Sequence, residues 1–368
     1  MLNYLNEISD IIKQTSFMSF LRYAAFKSSR SLNFLKFTNN RKSIKTVLLG
    51  SGTYAASILM PAMSKTNLLP HLIVSKSCVT SSKLSKAWGL PNPGISIDDF
   101  MNSDNSDLQA LVIATPNNTH PDFIEFALKR DLYTYCEKPV AIDIDGIKKL
   151  YKLHERYPNS EKVMIGFNRR FSPAIKKIST LDCILRRKKP LEITYRVNFG
   201  KRINNSMSNT SSGGGRLIGA GCHYVDLICH IVGKEIKYLF AQSSKDEDTF
   251  SVLFRFVDNS IATLIFTSDG NRNFDTKEEI FISSDGQNIR IKDFKNLKIN
   301  KKNFFIHRRT YGAFEAMNSF YQSISKLNSV KVPLIDGIIA TSITLAIKES
   351  IETNSMIVFS KFINNLMK

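Results

Sequence analysis

Lys138 stands in the tripeptide Glu137-Lys138-Pro139, and His223 stands three residues ahead of Asp226 in Gly-Cys-His-Tyr-Val-Asp. An ammonium group can stabilise an alkoxide developing on a carbinol oxygen, and burial can lower its pKa. An imidazole can shuttle the accompanying proton near neutral pH. On a helix His223 and Asp226 share a face, so Asp226 is a candidate to assist the histidine. A third group, Gly50-Ser51-Gly52-Thr53-Tyr54-Ala55, has the G-x-G-x-x-A spacing. Its first glycine permits a tight turn, its second lets backbone approach a pyrophosphate, and its alanine packs helix against strand. Plainer readings stand beside these: a solvated lysine at a strand end, a packed histidine, and a helix-surface carboxylate.

The elements that must position these groups follow from periodicity. Leu111–Ala114 has strand length and stops at Thr115-Pro116, where proline ends pairing. A helix fits Pro121–Lys129, with Phe123, Phe126 and Ala127 on one face, and a strand fits Tyr133–Cys136. In a parallel βαβ unit the two polar tips, Thr115–His120 and Glu137–Pro139, lie at the carboxyl edge of the sheet, where ligands bind. Thr46–Leu49 reads as a buried strand feeding the glycine turn, whose following helix offers amide N–H groups to a pyrophosphate. The strand Leu72–Ser75 ends at Ser75-Lys76-Ser77 without the carboxylate that would hold an NAD ribose. A lysine between serines suits a 2′-phosphate, so NADP(H) is modestly favoured over NAD(H). Helices are expected at Ser82–Trp88 and Asp143–Arg156, and a strand with a basic tip at Val163–Phe171. There Arg169 and Arg170 are either surface charges or an anion clamp.

From Leu191 the pattern changes to alternation. Glu192–Phe199, Phe250–Phe256, Ile261–Phe266, Glu278–Ile282 and Ile289–Lys292 read as an antiparallel sheet, with a hairpin turn at Asp258-Asn259. One helix, Gly213–Val232, interrupts it, and helices Tyr311–Leu327 and Gly337–Ile351 close the chain. The fold class is α/β.

At 368 residues the chain is long enough for two domains. No apolar run approaches the roughly 20 residues of a membrane span, and Glu7 and Asp10 near the start argue against a secretory signal. Five scattered cysteines with no CxxC pair argue against a metal or disulfide framework and for a reducing cytoplasm. The 51 basic and 32 acidic residues give a formal +19, and no nucleic-acid motif accompanies that charge. A basic enzyme whose ligands carry phosphates is the simpler reading. Residues 1–44 stand apart, with apolar residues at mixed helical spacing, a basic stretch from Arg22, and a linker at Asn39–Lys42. They are read as helices packed on the body or a partner; a weak membrane-surface contact is the sharper alternative.

Taken in order, VLLGSGTYA, LVIATPNNTH, CEKPV, MIGFNRRF and GGGRLIGAGCHYVDL resemble the Gfo/Idh/MocA oxidoreductases over roughly residues 45–355, nearest to the branch found in bacterial surface-polysaccharide gene clusters. The resemblance implies a Rossmann domain (45–165) after the extension (1–44). It implies a C-terminal domain (166–368) whose large, mostly antiparallel open sheet binds substrate and forms an oligomer, a dimer or tetramer. It implies a nicotinamide cofactor held by Gly50, Gly52, Thr53, Tyr54, Ser75, Lys76, Thr115, Pro116, Asn117, His120, Glu137 and Lys138. A sugar or nucleotide-sugar would meet Lys138, Asn168, Arg169, His223 and Tyr224, with no metal. Catalysis falls to Lys138 and His223, with Asp226 beside them. The carboxylate that family members place two to four residues before the histidine is missing, because Gly219, Ala220 and Gly221 stand there. Either Asp226 or substrate groups compensate, or the chain is a cofactor-binding sensor or scaffold without robust turnover.

Overall fold

The computed structural model describes residues 17–28, 44–200, 210–244, 248–271, 276–306 and 311–367. Residues 1–16 and 29–43, with the expected linker Asn39–Lys42, lie outside the described residues.

Six strands form the first sheet: Thr46–Leu49 (β1), Leu72–Ser75 (β2), Ile95–Ser96 (β3), Ala110–Ile113 (β4), Tyr133–Cys136 (β5) and Val163–Ile165 (β6). Their order is β3-β2-β1-β4-β5-β6, and every pairing is parallel. All residues of β1, β4 and β5 are buried, which is why these strands read as near-continuous apolar or aromatic runs, broken only by Thr46 and Thr134, rather than as alternating ones. Strand order reverses between β1 and β4, the switch point at which open α/β sheets bind ligands.

The chain divides into two compact units that are discontinuous in sequence. The first runs to Glu137 and adds Leu153–Gly166 and Ala313–Leu334; the second takes Lys138–Lys152, Phe167–Gly312 and Ile335–Lys368. Contiguous boundaries at 45–165 and 166–368 therefore miss two exchanges. The physical reason is visible at β6, an edge strand in need of a partner: Ile165 N donates to Val332 O at 2.9 Å. Ahead of it, the helix Ala313–Lys326 sets Phe320 edge-on to Tyr135, ring centres 5.8 Å apart. The first unit also includes the helix Phe17–Ser28, which packs on the helix Cys78–Trp88. Among the described residues no helix is long and apolar enough to cross a membrane.

The second unit is built on nine strands: Glu192–Asn198 (β7), Ile236–Ser243 (β8), Phe250–Phe256 (β9), Ile261–Thr267 (β10), Glu278–Ser284 (β11), Gln287–Lys292 (β12), Asn296–Ile299 (β13), Lys302–Phe305 (β14) and Ile357–Val358 (β15), in the order β14-β13-β12-β11-β7-β10-β9-β8-β15. All pairs are antiparallel except β7 with β10. β9 buries alternate residues, Phe250, Val252, Phe254 and Phe256, as a half-covered sheet requires. The turn between β9 and β10 places Asn259 at φ 70°, a conformation asparagine tolerates. β8, β13, β14 and β15 carry no clear alternation and were not expected from sequence.

The single helix expected over Gly213–Val232 is broken into Thr210–Gly213, Gly215–Gly219 and Gly221–Val232. Gly214 and Gly215 both sit at positive φ, which ends the first piece. Ala220, at φ −113°, interrupts the second.

Candidate active site

In the first unit the candidate cofactor cradle is made by main chain. Gly50 has φ +105°, and a Cβ there would lie 2.2 Å from Ala114 O, so only glycine lets the turn after β1 touch the end of β4. Gly52 faces open space, since a Cβ there would meet nothing within 4 Å. The helix of residues 53–63 starts immediately after it, with Thr53 and Tyr54 exposed at its first turn. Open backbone at the N-terminus of a helix fits a pyrophosphate.

Several side chains expected to contact the cofactor also hold the cradle's shape. Ser75 is buried, its Oγ bonded to Ser77 O at 2.7 Å and to Thr80 Oγ1 at 2.9 Å. Lys76 beside it is exposed. His120 is fully buried with Nε2 3.1 Å from Thr115 O, closing the Thr115–His120 loop on itself. Thr115 Oγ1 accepts from Thr119 at 2.8 Å, Pro116 precedes the short 3-10 turn Asn117–Thr119, and the side chain of Asn117 is half-buried. Glu137 is buried near the Tyr135 hydroxyl, against Gly166, where a Cβ would sit 3.0 Å from both Glu137 Oε1 and the Tyr135 hydroxyl. Gly166 was not singled out in reading Val163–Phe171 as a strand with a basic tip, although a glycine at such a place signals close approach.

In the second unit two segments 81 positions apart meet. Lys138 Nζ donates to Gly219 O at 2.7 Å. That carbonyl lies at the end of a short helix, where backbone acceptors lack helical partners. The next helix carries His223, whose pKa is held well below the usual histidine value, first by burial and then by Lys138, Arg169 and Lys277. The imidazole is therefore neutral at pH 7. Its ring stands edge-on to Phe167 at 6.1 Å, and among the described residues its enclosed Nδ1 has no hydrogen-bond partner. Asn168 Oδ1 is likewise buried and unpartnered among them. Lys277 was missed because only the pairing of β11 with β7 brings it into range.

Three expected site residues are committed elsewhere. Asp226 is 1% exposed and accepts from Arg170 Nε at 2.9 and 3.1 Å. Burial pushes its pKa up to about 6 against the pull of Arg170, so the pair is charged at pH 7. Asp226 thus balances Arg170, and Nδ1 of His223 receives nothing from it. Arg169 is not an open anion clamp: it forms a buried fork with Glu278, at 2.9 and 2.6 Å. Burial opposes the charge of Glu278, yet Arg169 and the Tyr195 hydroxyl, 2.5 Å away, hold its pKa below the usual range. Tyr224 is buried, edge-on to Tyr195 at 5.4 Å and 5.0 Å from the Arg169 guanidinium. Its ring packs in the core of the second unit.

Residues 44–167 match the family model GFO_IDH_MocA, described as an oxidoreductase family with an NAD-binding Rossmann fold, and residues 186–284 match the GFO/IDH/MocA C-terminal domain. Myo-inositol 2-dehydrogenase of Thermotoga maritima is 22% identical over 266 residues, spanning 67% of this chain and 78% of that protein. Levoglucosan dehydrogenase solved with NADH superposes with a TM-score of 0.71 at 20% identity, over 86% of this chain and 99% of that one. The aldose-aldose oxidoreductase of Caulobacter crescentus, solved with glycerol, gives 0.72 at 18% identity over 86% and 100%.

Proposed function

This chain belongs to the Gfo/Idh/MocA oxidoreductases, and on that premise we propose that it interconverts a hydroxyl and a ketone on a sugar, cyclic polyol or nucleotide-sugar with a nicotinamide cofactor. A nicotinamide bound along the glycine turn would supply or accept the hydride. Lys138 stabilises the charge on the carbinol oxygen, and neutral His223 takes or returns its proton. The carrying observation is the 2.7 Å bond from Lys138 Nζ to Gly219 O, four residues ahead of His223. At the position where a carboxylate was expected, a backbone carbonyl orients the ammonium without neutralising it.

The cofactor would lie along Gly50, Gly52, Thr53 and Tyr54. The modest preference for NADP(H) now rests on exposed Lys76 alone, since the Ser75 hydroxyl is spent within its own turn. Lys138 and Lys277, both cationic and both acting on His223, favour a substrate that carries a phosphate, which supports the nucleotide-sugar reading; a place in surface-polysaccharide biosynthesis would follow from that substrate class. Self-association is supported by Leu253, Ile261, Ile265 and Phe281, which leave apolar side chains exposed on the large sheet.

The test is Lys138→Ala assayed with NADH and NADPH against inositols, aldoses and nucleotide-sugars, with their keto forms. Turnover falls about 10²–10³-fold while dinucleotide binding is kept. Undiminished reduction of a keto-sugar removes Lys138 from its role. Binding of cofactor by the native chain with no turnover on any of these would favour the sensor or scaffold alternative.

A further inference from the structure

The helix Phe17–Ser28 precedes residue 44, where the family match begins, and nothing in the proposed chemistry uses it. Its placement is fixed by a buried cation. The Arg22 guanidinium lies 4.7 Å from the centre of the Trp88 ring, and Nη1 donates to Trp88 O at 3.3 Å. Arg22 and Tyr23 are buried, so this face of the helix is spent on the body of the first unit. One turn further on, Lys27 reaches the glycine turn: its Nζ is 3.4 Å from Thr53 Oγ1 and 5.5 Å from the Tyr23 ring. Thr53 follows Gly52, the residue with open space above it. The helix also contacts the segment Ala55–Leu59 behind that turn.

We infer that the Phe17–Ser28 helix is a wall of the dinucleotide site and that Lys27 supplies a cation to the pyrophosphate, a contact made from outside the matched fold. The inference rests on the dinucleotide reading above. The glycine turn offers only amide dipoles to a group carrying two negative charges. An ammonium held at Thr53 by a docked helix adds a full charge at the same place, and the ordering cost of that lysine is met before ligand arrives. The Arg22–Trp88 contact is the anchor, and Lys27 is the group presented.

The full-length chain gives the test a built-in reporter, because Trp88 is its single tryptophan. NADH is titrated by calorimetry into the native chain and into Lys27→Ala, Lys27→Arg and Lys27→Glu at low and high salt. The expected result is NADH affinity about tenfold weaker in Lys27→Ala, weaker still in Lys27→Glu and near native in Lys27→Arg. The native advantage shrinks at high salt, as screening of an exposed charge requires. Trp88 emission stays unchanged in all three, showing the helix still docked. Arg22→Ala shifts Trp88 emission to the red and weakens NADH binding together. NADH affinity within twofold of native in Lys27→Ala, with Trp88 emission unchanged, overturns the inference and leaves the dinucleotide reading intact. A native chain that binds neither NADH nor NADPH overturns both.

Discussion

In the first unit the groups proposed to face a dinucleotide are mostly main chain, and the neighbouring side chains turn inward to hold its shape. Ser75, His120 and Glu137 are buried, each against the turn or strand tip it belongs to. In the second unit the groups proposed to react are side chains, Lys138 and His223, and charged neighbours are paired off around them: Arg169 with Glu278, and Arg170 with Asp226 and Asp336. A cradle of amides needs only the right backbone path. A proton-transfer pair needs a field, and that field is set by which nearby charges are already balanced.

The largest effect that would test this contrast is at the backbone. Gly50→Val places atoms where Ala114 O stands 2.2 Å from an added Cβ, on a residue with φ +105°. It is expected to cost about 4 kcal/mol or more in urea unfolding and to abolish dinucleotide binding. A stable variant that still binds would show that the cradle is not made by close approach of the two turns.

Glu278→Gln leaves Arg169 buried without its counter-charge, which is expected to cost about 3–5 kcal/mol by the same measurement. Because Glu278 lies off the reacting groups, the remaining folded fraction keeps dinucleotide affinity. Unchanged stability would mean that the Glu278 charge is not what holds Arg169 in place.

His223 sharpens the comparison through pH. Its folded pKa is depressed, so the stability tied to its neutral form is complete above the unfolded value of about 6.5 and is lost as pH falls below it. The slope approaches about 1.4 kcal/mol per pH unit, and His223→Gln should flatten that part of the stability profile. The acid limb of kcat/KM is likewise expected below pH 6.5. A limb above it would show that His223 is protonated at neutrality and cannot act as the base.

Gly166→Ala is the mildest change. Its Cβ would meet Glu137 Oε1 and the Tyr135 hydroxyl at 3.0 Å, so those ends give by a few tenths of an ångström. A loss of about 1 kcal/mol with a several-fold rise in the NADH dissociation constant is expected. Changed stability with unchanged binding would confine Glu137 to a packing role.

Much of the first sheet was legible because its determinants are local. Buried parallel strands are near-continuous apolar or aromatic runs, and β1, β4 and β5 read almost to the residue. The central alternation of β7, β9, β10, β11 and β12 was equally plain. Exchange of Ala313–Leu334 into the first unit was not, because the partner of an edge strand has no fixed sequence distance from it. Lys138 and His223 could be singled out from their motifs, whereas the pairing of Arg169 and Asp226 and the burial of Tyr224 could not be read from theirs. Whether an arginine waits for a ligand or is already paired depends on a carboxylate 109 positions away in one case and 56 in the other.

The sequence by itself determined the glycine turn, the strand–helix alternation around it and the identity of an ammonium and an imidazole suited to redox chemistry on a hydroxyl. These are short-range facts, since backbone freedom and side-chain periodicity act over a few residues. Only the tertiary structure decided which charges are spent, which carbonyl receives Lys138 and where the Phe17–Ser28 helix docks. Those outcomes depend on burial and on long-range pairing, because an unpaired charge is tolerated in water and costly once packing removes the water.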